Sequence, residues 1–375
     1  MRQGVIPPRP ATDSIDSLGL NPRAAREDHV RPEPHSDRGA PIRPGPTGRR
    51  QAEGRSEARR EHRPRDPRKL RDGDRLKQLK VHFTDFWNGG GEDRIRENPI
   101  YKFLSNHYEL VLDAKAPDFL FYSCFGDDYR SYDCIRIFYT GENRRPDFDN
   151  ADYAFTFDPL DHPRHFRLPL YRFYAEYPEV FKPREPDRVL GEERKFCAFV
   201  YSNEAARERV QFFDQLCEYK QVDSGGKVRN NIGHNVEDKL AFLRDHRFSI
   251  AFENTSHEGY TTEKLLHALV SDTIPIYWGN PRAGEDFNSE AFINCHDYDS
   301  FSAVIDHVKE VDADVALQRR YLSASFLRDG EIPACQEDRI IERFDSIFEG
   351  AHHQLPRTRK RIQKTLRRLR HWLRH

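Results

Sequence analysis

From about residue 80 onward the chain carries short apolar runs rich in aromatic and β-branched residues, separated by more polar stretches of helical length. The first is Val81-His82-Phe83-Thr84-Asp85-Phe86-Trp87, which runs into a Gly-rich turn from Asn88 to Gly91. Phe119-Leu120-Phe121-Tyr122, Ile135-Arg136-Ile137-Phe138-Tyr139 and Tyr153-Ala154-Phe155-Thr156-Phe157 follow, each bounded by Gly, Asp or Pro. Runs of this kind predict buried strands. Their alternation with helical-length segments predicts βα units around a parallel sheet. The pattern breaks in the Pro-rich, charged stretch 178–193 and restarts with Lys195-Phe196-Cys197-Ala198-Phe199-Val200-Tyr201. There Ser202-Asn203 is placed to cap a helix whose Ala206, Val210, Phe213 and Cys217 fall on one face. Later strands are expected at 248–252 and 273–278, with a helix from about Thr262 to Val270 between them.

This reading gives an α/β protein of two βα domains, 80–190 and 191–328, followed by a helical segment at 329–355. The two ends differ from this body. From Met1 to His82 there is no Phe, Trp or Tyr, while Pro and Arg recur throughout. Such a segment buries too little apolar area to offset its ordering entropy, so residues 1–79 are expected to be a disordered extension. Acids are mixed through it, which favours a solvated tail over a basic arm for nucleic acid. Residues 356–375 are rich in Arg and Lys, contain no acid, and repeat Ile362, Leu366, Leu369 and Leu373 along one helical face beside Trp372. That pattern predicts a basic amphipathic helix for an anionic membrane surface, with docking on the protein as its alternative.

The net charge of −1 supplies no global field toward nucleic acid. No apolar run approaches the ~20 residues of a membrane-spanning helix, and no hydrophobic stretch follows the first arginine as in an export signal. The six cysteines form no C-x-x-C pair and have no clustered His partners, so neither zinc nor a disulfide framework is expected. A cytoplasmic site of action is therefore expected. Asp127-Asp128 follows Gly126 in a loop and reads as turn chemistry rather than a metal-binding pair.

Three places carry candidate chemistry. Phe252-Glu253-Asn254-Thr255-Ser256-His257-Glu258-Gly259-Tyr260-Thr261-Thr262-Glu263-Lys264 is a strand end, a polar loop and a helix start. Parallel sheets bind ligands at the carboxyl ends of their strands, and helix N-termini favour anions. Lys264 is then a cation where a phosphate would sit, Glu263 a partner for ribose hydroxyls, and Tyr260 a stacking or hydrogen-bonding group. The alternative makes Glu263 and Lys264 ordinary surface charges of a helix. Arg209 is a second candidate, for bidentate contact with phosphate oxygens, in competition with Arg207. Phe138-Tyr139-Thr140-Gly141-Glu142-Asn143 ends a strand of the first domain in a carboxylate, which could act as a general base or be structural.

These motifs resemble those of glycosyltransferase family 10, the α-1,3/4-fucosyltransferases, and especially its Helicobacter pylori members. The match covers Phe138 to Asn143, the Phe252 to Thr255 and Gly259 to Lys264 elements, and Ile274-Pro275-Ile276-Tyr277-Trp278-Gly279. It also covers Asp152-Tyr153-Ala154, Arg167-Leu168-Pro169-Leu170-Tyr171 and Asp286-Phe287-Asn288. The resemblance runs from about Val81 to Phe348. It implies a GT-B architecture, with two Rossmann-like domains facing a cleft, and inverting transfer of fucose from GDP-fucose. The acceptor it implies is the 3-hydroxyl of N-acetylglucosamine in an N-acetyllactosamine-type glycan such as that of lipopolysaccharide. Glu142 stands at the family's general-base position. Arg209, Asn254, Tyr260, Glu263 and Lys264 match residues that hold the donor, with Tyr139, Ser202, Asn203 and Glu253 as further candidate contacts. No metal or cofactor is required under this reading, with stimulation by Mn²⁺ left open. The work would be done at the inner face of a bacterial cytoplasmic membrane. The heptad repeats that precede the tail in Helicobacter enzymes are missing from this sequence, so dimerisation is not implied.

Overall fold

The computed structural model describes residues 77–350; the expected extension 1–79 lies outside the described residues except at its end, where Gln78 and a buried Leu79 already belong to the first strand, and the basic tail lies outside them entirely. Two wholly parallel sheets organise it. The first contains β1 (Gln78–Thr84), β2 (Glu109–Leu112), β3 (Phe119–Tyr122), β4 (Ile135–Tyr139), β5 (Tyr153–Thr156) and β6 (His165–Arg167), in the order β2-β1-β3-β4-β5-β6. The second contains β7 (Lys195–Phe199), β8 (Val222–Ser224), β9 (His246–Phe252), β10 (Ile274–Trp278) and β11 (Ile293–Asn294), in the order β11-β10-β9-β7-β8. Every residue of β3, β4 and β5 is buried, as expected of parallel strands covered on both faces.

Three helices shape the site and the cores around it: α1 (Arg207–Cys217), α2 (Glu263–Val270) and α3 (Glu337–Gly350). Helix α1 departs from the sequence reading. It starts at Arg207 with Ala206 in the capping position, because the Asn203 side chain instead accepts from the Ala205 N–H at 2.9 Å. Its buried residues are Arg209, Phe212, Phe213 and Leu216, so the inner stripe is rotated from the Ala206/Val210 face and includes a charge.

Helix α3 returns to the first sheet. Phe344 stacks on Phe155 at 4.4 Å, and Phe348 meets Phe119 at 4.7 Å and Tyr108 at 5.1 Å. The segment after residue 328 thus completes the core of the first lobe. Phe344 is fully buried, so Phe344→Ala should cost about 3–5 kcal/mol through lost packing and an unfilled cavity. Chemical denaturation measures this; a loss below about 1 kcal/mol would mean that α3 does not share this core.

The lobes meet through one apolar cluster that joins Tyr171, Tyr174 and Tyr177 of the first to Leu265, Leu266 and Leu269 of α2. Beside it Arg167, at the end of β6, grips Asp286 of the second lobe with two bonds of 2.8 and 2.5 Å. All six cysteines are free, and Cys134, Cys197, Cys295 and Cys335 are buried as small apolar side chains.

Candidate active site

The chain leaves β9 at Phe252, crosses the sheet edge and enters α2 at Glu263. Thr262 occupies the capping position, but its hydroxyl does not cap the helix. It donates to Glu253 Oε2 at 2.6 Å, and the Thr262 N–H donates to Glu253 Oε1 at 2.7 Å. The Glu253 carboxylate therefore sits at the positive end of α2. Fully buried like Glu263, it stands behind the cluster, its oxygens bonded to Thr262 and facing Lys264. Gly279 makes room for it, since a Cβ there would lie 2.4 Å from Glu253 Cγ.

Lys264 Nζ lies 3.1 Å from Glu263 Oε1 and 3.3 Å from Glu253 Oε2, and donates to Thr262 Oγ1 at 3.0 Å. Burial opposes the charge on Lys264, but the two carboxylates more than offset that and hold its pKa above the ordinary lysine value. The Glu253 pKa is raised as well, because burial outweighs the lowering effect of Lys264. Glu263 is also fully buried, with the Tyr174 hydroxyl 3.4 Å from Oε2. These are not surface helix charges. They form a compact buried cluster at a helix N-terminus.

Arg209 is fully enclosed. Its Nη2 donates to the Phe252 carbonyl at 2.9 Å and to Asn254 Oδ1 at 2.8 Å, and its guanidinium lies 3.8 Å from the centre of the Tyr201 ring. Arg209 thus ties Asn254 to the end of β9, while its Nε has no hydrogen-bond partner among the described residues. Ser202 and Asn203 are partly exposed in the loop before α1, where the Asn203 carbonyl faces Arg209 Nη1 at 3.4 Å.

Glu142 comes to this cluster from the other lobe. Its N–H donates to Thr140 Oγ1 at 3.0 Å in the loop that follows β4. Burial raises the carboxyl pKa above the ordinary 4.5, and Lys264 is the strongest opposing charge that acts on it, followed by the like charge of Glu263. Tyr260 is buried at the same place, with its ring 4.9 Å from that of Phe157. Burial, then the charges of Glu142, Glu253 and Glu263, hold its hydroxyl protonated. Glu142, Tyr260, Glu263 and Lys264 therefore share one region at the facing strand ends of the two sheets. Tyr139 does not belong there. It is fully buried in the first lobe's core against Phe173, so its candidacy as a donor contact is corrected.

Other residues of the site escape a reading of the sequence. Tyr201 reads as the last residue of a strand, yet its hydroxyl donates to the Ile250 carbonyl and accepts from the Phe252 N–H, both at 2.8 Å. Asn143 donates to Thr255 Oγ1 at 2.6 Å, joining the Glu142 loop to the β9 loop. Gly259 adopts φ of +79°, and a Cβ there would lie 2.5 Å from the Phe157 carbonyl oxygen. Gly259→Ala should then destabilise the fold by about 1–3 kcal/mol, the usual cost of a strained backbone position. Denaturation of the variant measures this, and an unchanged midpoint would refute the close approach of the two lobes at this point.

Residues 81–174 match the family model described as the N-terminal domain of α-(1,3)-fucosyltransferase FucT, and residues 190–336 match the C-terminal domain of glycosyltransferase family 10 (fucosyltransferase). The chain is 36% identical over 273 residues to the α-(1,3)-fucosyltransferase FucT of Helicobacter pylori, a match that covers 62% of this chain and 56% of that enzyme. It spans about half the length of that relative. It is 27% identical over 139 residues to human 4-galactosyl-N-acetylglucosaminide 3-α-L-fucosyltransferase 9, covering 36% of this chain and 38% of that protein. The crystal structure of an α1,3-fucosyltransferase with GDP-fucose superposes with a TM-score of 0.65 at 30% identity, over 75% of this chain and 93% of that one. The pair of parallel-sheet lobes is the GT-B fold, as the sequence led us to expect.

Proposed function

The chain belongs to glycosyltransferase family 10, the fucosyltransferases, and on that premise we propose that it is an inverting α-1,3-fucosyltransferase. Its donor is GDP-β-L-fucose, and its acceptor is the 3-hydroxyl of N-acetylglucosamine in an N-acetyllactosamine-type glycan, on lipopolysaccharide at the inner face of the membrane. The observation that supports this best is that the Glu142 loop is tied to the β9 loop by the Asn143–Thr255 hydrogen bond, which brings the carboxylate within the electrostatic reach of the Lys264 cluster. Displacement of GDP by a sugar hydroxyl leaves negative charge on the departing diphosphate and a proton to remove from the attacking oxygen. A buried cation answers the first need, and a carboxylate opposite it the second.

The elements divide this work between them. Lys264 stabilises the developing charge on GDP, and Tyr260 and Asn254 orient the donor. Glu142 accepts the proton as the acceptor oxygen attacks from the opposite face, which converts the β-linked donor to an α-linked product. Holding both substrates in line removes much of the entropic barrier. Glu253 and Arg209 keep Lys264 and Asn254 in position. No step needs a metal ion, and Mn²⁺ would act as an added counter-charge on the diphosphate.

The test is incubation of the purified protein with GDP-fucose and N-acetyllactosamine, with NMR assignment of the product linkage. An α-1,3-fucosyl product is expected. A product linked elsewhere, or transfer from another sugar nucleotide in preference, would displace this reading.

A further inference from the structure

The carboxyl ends of β1, β3 and β4 lie side by side in the first sheet, and each carries a distinctive group. Glu142 follows β4, Phe125 follows β3, and Trp87 follows β1. Trp87 and Phe125 meet edge to face, with ring centres 6.3 Å apart at 76°, and both are partly exposed. The ground between them and Glu142 is continuous. Cys124, next to Phe125, has its Sγ 3.5 Å from Thr140 Oγ1, the same hydroxyl that accepts from the Glu142 N–H. Neighbouring strands are about 4.8 Å apart, so the β1 and β4 ends are separated by roughly 10 Å, a span on the scale of a disaccharide.

The backbone fixes this aromatic pair. Asp85 sits between β1 and Trp87 at φ of +60°, in the left-handed region that Asp and Asn enter more readily than other non-glycine residues. Its carbonyl accepts from the Phe125 N–H at 3.1 Å, and its carboxylate accepts from the Asp128 and Tyr129 N–H groups at 3.1 and 2.8 Å. Gly126 is needed for this closeness, because a Cβ there would lie 2.3 Å from Asp85 Oδ1. Asp85 thus ties the loops after β1 and β3 together and holds Phe125 beside Trp87, which also packs on the core of the first lobe.

We propose that Trp87 and Phe125 form an acceptor subsite, a stacking platform for the neutral hexopyranose joined to the sugar whose hydroxyl meets Glu142. Aromatic faces take the apolar C–H face of a pyranose and leave its hydroxyls free for polar neighbours, so they select a disaccharide over a monosaccharide. This rests on the transferase reading above. It adds which part of the chain recognises the second sugar.

The experiment is saturation-transfer difference NMR on the full chain loaded with GDP, titrated with N-acetyllactosamine and, separately, with N-acetylglucosamine. It needs no turnover, so its outcome is independent of the transfer assay above. For the unmodified protein the disaccharide should bind at least about tenfold more tightly than the monosaccharide, with saturation on the galactose C–H protons. Trp87→Leu and Phe125→Leu keep apolar bulk and should erase most of that preference. Trp87→Phe, which retains an aromatic face, should restore part of it. Equal affinity for the two sugars, no binding of either, or an unchanged preference in folded leucine variants would overturn the proposal. If both leucine variants fail to fold, the galactose protons of the unmodified protein's complex still decide it: saturation there supports the platform, and its absence refutes it.

Discussion

Lys264→Ala is expected to destabilise the folded chain by about 3–5 kcal/mol, besides weakening GDP by about 2 kcal/mol or more. The first figure reflects the surroundings of Nζ. Removal of the ammonium takes away the cation held between the fully buried carboxylates of Glu253 and Glu263, and an uncompensated buried charge costs several kcal/mol. The second is the usual loss for a charge-assisted contact to a phosphate. The stability effect carries a pH signature. Without Lys264 the burial that already raises the Glu253 pKa acts without its main opposing charge, so the variant is relatively most stable below the ordinary glutamate pKa and loses stability as pH rises. The deficit against the parent protein should therefore narrow on acidification. Thermal melts across about pH 4–8 measure it, and a pH-independent deficit would show that the cluster is not charged as described.

Glu142→Gln is expected to lower kcat by about 10²–10⁴-fold, the usual contribution of a positioned general base. The amide keeps the shape of the carboxyl but cannot take the proton. GDP affinity should remain within about twofold, because the lost group serves the acceptor rather than the diphosphate. Folding stability should not fall, since burial already disfavours the charged form of this side chain. A variant that loses GDP affinity in parallel with kcat would place Glu142 in donor binding instead.

Much of this was legible in the sequence, for identifiable reasons. Strands β3, β4 and β5 are buried on both faces, so each shows as an unbroken aromatic and aliphatic run bounded by turn residues. The Phe252 to Lys264 segment is recognisable because a strand end, a polar loop and a helix start follow each other closely. Strands β2, β6 and β8 are short and partly polar; Val222-Asp223-Ser224 carries no strand pattern and is held by its neighbour β7. Arg209 shows why periodicity failed in α1. A pattern that counts arginine as polar turns it outward, whereas this guanidinium is buried by Tyr201 and the end of β9. The pairing of Glu253 and Glu263 with Lys264 is equally hidden, because only the folded chain reveals that one ammonium lies between the two carboxylates. The return of α3 to the first sheet is a long-range event with no local mark. Phe344 and Phe348 signal an apolar face, not which lobe it covers.

The most direct test of the central claim is the pH dependence of kcat, measured with saturating donor and acceptor for the parent protein and for Glu142→Gln. A base works only when ionised, and burial raises the pKa of this carboxyl above the ordinary glutamate value of 4.5. Transfer by the parent should therefore fall on acidification along a limb that lies above that value, and the small residual rate of Glu142→Gln should be flat over the same range. A variant that turns over at the parent's rate, with the same acid limb, would contradict the assignment of Glu142 as the base opposite Lys264.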